Sequence, residues 1–164
     1  VTLAALVAHA SAVTSHYLDF TTSTGSYIIS FSGTIVTPGL PQAGTYYLWP
    51  GLQPSDSAGV LQQVLDGRSG EWWIGSGWCC SGPALGGAGS TGSAPLSRFE
   101  FSNTVDSIAT GTWRASLASG SHSATGSFAL PTNPMNQAII AIELRGMLGG
   151  IRSKTSGSCV SNCI

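Results

Sequence analysis

Glycine and proline interrupt this chain every eight to fifteen residues, and short runs of β-branched and aromatic residues fill the intervals. The 22 glycines and 8 prolines leave almost no 3.6-residue apolar period of the kind an amphipathic helix needs. The runs are "SYIISFSGTIV" (26–36), "TYYLWPG" (45–51), "GVLQQVL" (59–65), "EWWIGSGW" (71–78), "SRFEF" (97–101), "GTWRASL" (111–117), "HSATGSFAL" (122–130) and "QAIIAIELRG" (137–146). About eight short strands separated by turn signals predict an all-β protein, an antiparallel jelly-roll β-sandwich. "DGRSG" (66–70) and "ASGSHS" (118–123) read as hairpin connections. The glycine-rich stretch 81–95 reads as the longest loop.

A length of 164 residues suits one domain with one core. Only 8% of residues are charged, the formal net charge is -1, and the six basic residues form no cluster. That argues against a nucleic-acid partner. Surface polarity must come from Ser, Thr, Gly and Asn, a composition that suits an exported β-protein. "VTLAALVAHASAV" at the start is apolar and uncharged and ends in small residues. It reads as the remnant of a secretory signal, with Ala10-Ser11-Ala12 as the cleavage site. The expected organisation is therefore a signal remnant at 1–12, a sandwich at 13–146, and an irregular cysteine-containing tail at 147–164. No apolar run is long enough to predict a membrane span.

The four cysteines are Cys79, Cys80, Cys159 and Cys163, an even number that fits disulfide formation in an oxidising compartment. Three pairings are open. A bridge between the adjacent Cys79 and Cys80 would close an unusual ring, so one bridge from this corner to the tail is the simpler expectation. Adjacent cysteines make poor tetrahedral ligands, and no histidine lies near either pair, so neither zinc nor any other cofactor is expected. His9, His16 and His122 read as a signal residue and two solvated loop residues.

Two strands carry polar residues inside apolar runs. In "GVLQQVL", alternation puts Val60, Gln62 and Val64 on one face and Leu61, Gln63 and Leu65 on the other. In "QAIIAIEL", Ile139, Ala141 and Glu143 share a face. A carboxyl partly buried among apolar neighbours suits general acid–base work, and a nearby amide can polarise a carbonyl or hold a water. Both residues could equally line a solvated sheet face.

The segments "YYLWPGLQP…GVLQQVLDG", "GTWRASL…SATGSF" and "QAIIAIELRG" resemble secreted fungal proteins of the concanavalin A-like lectin/glucanase superfamily, over about residues 26–146. The order of motifs is more loosely similar to fungal glutamic peptidases, which carry a catalytic Gln on an early "LQ" strand and a catalytic Glu on a late one. That likeness implies Gln62 and Glu143 as the pair. The paired acidic motif of the superfamily's glycosidases is missing, since Glu71, Glu100 and Glu143 each stand alone.

Three functions follow as expectations. The first is a lectin-like module that stacks a neutral glycan on a concave face through Tyr47, Trp49, Gln53, Gln62, Trp73 and Trp113. The second is an acid hydrolase of glutamic-peptidase type that uses Gln62 and Glu143. The third is a structural or effector-like secreted protein with no small ligand.

Overall fold

A computed structural model describes residues 13–40, 45–79, 86–90, 97–130 and 134–145. Ten antiparallel strands run through them: β1 (Val13–Thr21), β2 (Ser30–Val36), β3 (Thr45–Pro54), β4 (Val60–Asp66), β5 (Trp73–Cys79), β6 (Gly86–Ser90), β7 (Arg98–Ser107), β8 (Thr112–Ser119), β9 (His122–Ala129) and β10 (Met135–Arg145). They form two sheets, β1-β10-β3-β4-β5-β6 and β2-β7-β8-β9. The protein is an all-β, two-sheet sandwich. The signal remnant expected at 1–12 and the tail expected at 147–164 lie outside the described residues.

The two sheets are joined by the residues that alternation turns inward. β8 buries Trp113, Ala115 and Leu117 and leaves the intervening positions more open. These pack in two clusters against the inner face of the large sheet. Leu65, Trp72 and Ile74 meet Phe99, Phe101, Leu117 and Ala124. Leu52 and Leu61 meet Trp113, Ala115 and Met135. One polar link crosses this core. Gln63 Nε2 donates to Asn103 Oδ1 at 2.6 Å, and Asn103 Nδ2 donates back to Gln63 Oε1 at 2.8 Å. Each amide satisfies the other, which makes burial of both tolerable.

β4 is buried along its whole length, on both faces. It pairs with β3 on one side and β5 on the other, and the turn "DGRSG" joins it to β5 as expected. The β8–β9 hairpin closes through Gly120 and Ser121, with Ser119 opposite His122. Gly120 takes φ +57° at the first central position, where a tight II′-type hairpin wants a glycine.

Two strands were not expected. The stretch 81–95, read as a loop, contains β6, which pairs with Trp73–Ser76 of β5. β1 continues directly from the apolar opening and pairs along its length with β10. It lies at the outer edge of the larger sheet, past the strands that the second sheet covers. Leu18 and Phe20 on it are therefore 55% and 53% exposed.

Candidate functional site

The face of the larger sheet turned away from the core holds the sequence-expected Gln and Glu. Strand order and register assemble it in rows. Glu143 on β10 lies opposite Tyr47 on β3, which lies opposite Asp66 on β4, which lies opposite Trp73 on β5. A second row runs Ile139, Gly51, Gln62, Gly77 on the same four strands. Between the rows, Trp49 sits opposite Ala141. Tyr47, Trp49, Val60, Val64, Ile139 and Ala141 pack into one cluster here, separate from the core between the sheets.

Glu143 is 1% exposed, and Trp49 Nε1 donates to its Oε1 at 2.9 Å. Trp49 is itself fixed. Tyr17 of β1 meets its ring edge-on, with centroids 6.2 Å apart. Gln62 is 0% exposed, and neither its amide nitrogen nor its amide oxygen has a hydrogen-bond partner among the described residues. A buried amide group without a partner costs about 1–3 kcal/mol. Such groups are rare in folded proteins, and functional sites are one place where they persist. Gly51 beside it has no room for a side chain, since a Cβ there would lie 2.8 Å from Val60 Cγ1.

Gln62 and Glu143 share the face but do not touch. β3 lies between their strands, and they are four residues out of register. A molecule engaging both would lie over Trp49 and receive one side chain from each side.

The other expected residues fall out as follows. Gln53 is half-buried at the far end of the same face, opposite Gln137, whose Nε2 donates to Asp19 Oδ2 at 3.1 Å. Trp73 is half-buried on this face, while its neighbour Trp72 turns into the core. Trp113 belongs elsewhere. It is on the second sheet, 5% exposed and packed against the inner core, so it cannot join a site with Trp49. It also lines an apolar cavity of about 230 Å³ with Tyr27, Ile28, Val105, Leu130 and Met135, which contains neither Gln62 nor Glu143. Tyr47 and Trp49, expected as stacking platforms, are 1% and 0% exposed. A flat ring must show its face to stack on a sugar, and these rings do not. Cys79 is buried, and Cys80, Cys159 and Cys163 lie outside the described residues. Among the described residues no cluster of His, Cys, Asp or Glu could hold a metal.

Sequence reasoning missed Asp66 and Arg68. Arg68 Nε donates to Asp66 Oδ2 at 2.8 Å, and Arg68 Nη2 lies 2.6 Å from the same oxygen. The Arg68 backbone N–H donates to Asp66 Oδ1 at 2.9 Å. The guanidinium carbon stands 5.7 Å from the centroid of the Tyr47 ring. The Asp66 hydrogen bonds, supported by charge attraction, hold the guanidinium more firmly protonated than an ordinary arginine. The sequence signal was the "DGR" of a turn, read only as a connection.

No family model matches the sequence, and no curated protein matches it. Solved structures do. The fold superposes on scytalido-glutamic peptidase bound to a transition-state-analogue inhibitor with a TM-score of 0.58, at 16% identity, over 80% of this chain and 66% of that one. A second structure of that peptidase, with a peptide-based transition-state analogue, gives 0.56 at 16% identity, over 88% and 71%. SCP-B, a member of the eqolisin family of peptidases in complex with the tripeptide Ala-Ile-His, gives 0.52 at 16% identity, over 93% and 71%. The chain thus spans roughly two thirds of the length of the peptidases it matches. At this identity the likeness establishes the shared β-sandwich fold.

Proposed function

We propose that this protein is an acid hydrolase of glutamic-peptidase type, with Glu143 and Gln62 as its working pair. The observation that carries the reading is the state of the two side chains. A buried carboxyl held by Trp49 and a buried amide with no partner among the described residues stand on one face of a fold shared with glutamic peptidases.

In this mechanism Glu143 takes a proton from a water molecule, whose oxygen attacks the carbonyl carbon of a peptide bond. The carbonyl π-electrons move onto oxygen, while Gln62, its Cα about 16 Å from that of Glu143 by strand spacing and register, offers its amide to the substrate backbone farther along the face. The tetrahedral intermediate collapses as Glu143 returns the proton to the leaving nitrogen. Trp49 holds the carboxyl in place throughout. The same reading sets the protein outside the cell.

Stacking of a neutral glycan is the weaker reading, because Trp113 lies on the other sheet and the structures that share this fold are peptidases. The test is proteolysis of a denatured protein substrate at pH 3–5. Glu143→Gln should lower kcat/KM by at least about 100-fold, the usual scale for an acid–base group, and Gln62→Ala should act mainly by raising KM. Folded variants with undiminished activity would remove the pair from the mechanism.

A further inference from the structure

Exposure rises steeply just past Asp66, where β4 leaves the row that begins at Glu143 and enters the turn to β5. Glu143 and Tyr47 are 1% exposed and Asp66 is 5% exposed, while the side chain of Arg68 is 58% exposed. Arg68 therefore stands where this row meets solvent. Its position is over-determined. Asp66 takes the Nε–Nη2 edge of the guanidinium, and the Tyr47 ring supports its face. Closing the turn needs none of this, because the backbone N–H of Arg68 already bonds Asp66 Oδ1. Among the described residues Nη1 has no hydrogen-bond partner. The guanidinium thus keeps a second donor edge in a fixed orientation, the geometry that suits a planar carboxylate.

We propose that Arg68 is a specificity-determining residue that binds a substrate carboxylate, from an acidic side chain or from the peptide's C-terminus. Its place sets the distance. Glu143, Tyr47 and Asp66 are successive partners on three adjacent strands, so the row spans roughly 10 Å at the usual strand spacing. An extended peptide covers that in about three residues. The preferred carboxylate lies about three residues from the bond that Glu143 attacks. This rests on the peptidase reading and narrows it to peptides acidic near the cleavage point.

The test uses the full chain with Glu143→Gln, so that peptides bind without being cut. Extended peptides carrying Glu three residues from the centre are titrated against Gln counterparts by tryptophan fluorescence. A third set ends in a free carboxylate at that distance, and a fourth has that terminus amidated. At pH 5, anionic peptides should bind at least about tenfold tighter than neutral ones, with the side-chain and terminal sets showing which source is favoured. Adding Arg68→Met should reduce the ratio below about twofold, and Arg68→Lys should restore part of it. A turn brace alone would leave the ratio unmoved. Equal binding of Glu and Gln peptides with Arg68 present, or a preference that survives Arg68→Met, overturns the proposal. Failure of every peptide to bind overturns the peptidase reading beneath it.

Discussion

Trp49 offers Glu143 a single N–H, and removing that donor is the most local test of the site. Trp49→Phe keeps the ring and deletes the hydrogen bond. It should lower stability by about 1–3 kcal/mol in urea unfolding and loosen the carboxyl that the proposed mechanism needs held. The Gln63–Asn103 pair makes the opposite argument. Asn103→Ala strips the Gln63 amide of its partner in the core and should cost about 1–3 kcal/mol. Gln63→Leu with Asn103→Leu removes both polar groups and should cost less than the single change, as a double-mutant cycle would show. At this scale alternation alone grouped Gln62 with Val60 and Val64, and Glu143 with Ile139 and Ala141, each on one face of its own strand. It could not show that both faces are one face, since that depends on β3 lying between them. Trp113 was misjudged because an indole looks the same in a sequence whether it lines a groove or fills a core. Arg68 was invisible because the Asp66 carboxylate, not strand alternation, decides where a turn side chain points. Its fixed charge carries a pH consequence. Arg68 stays cationic at any working pH, so selectivity for anionic peptides should fade only as the peptide carboxylate protonates, below about pH 4. Peptide-binding ratios measured from pH 6 to pH 3 would check this.

Among the elements, the runs with clear patterning became strands close to where they were expected. β4, β5, β8 and β10 follow their side-chain patterns to within a few residues. β6 did not announce itself because "GGAGS" has almost no side chains to alternate, and only its pairing with β5 makes it a strand. β1 was hidden by its own apolar lead-in, which resembles an export signal more than a strand. Close approach of the chain at β4 and β5 also leaves a mark. A Cβ on Gly59 would lie 2.4 Å from the carbonyl oxygen of Cys79 and 2.4 Å from the Trp78 ring. The oxygen is backbone and cannot swing aside. Gly59→Ala should therefore destabilise the protein by about 1–3 kcal/mol, read as a shifted urea midpoint with an unchanged slope.

At the scale of the whole molecule, the proposed site depends on a pairing between distant parts of the chain. β10 pairs with β3, and only that pairing brings Glu143 to Trp49, 94 residues away in sequence. Sandwiches built from such non-local pairings fold in milliseconds to seconds rather than microseconds. Stopped-flow tryptophan fluorescence should show refolding in that range. Synthesis stretches the interval much further. At roughly 5–20 residues per second, some 6–25 seconds separate the making of Val13 from the arrival of Met135. For all that time β1 exists with Tyr17, Leu18 and Phe20 and without the strand that will carry it. In a cell, this is a nascent segment that must be chaperoned or kept apart from its own copies until β10 has been made.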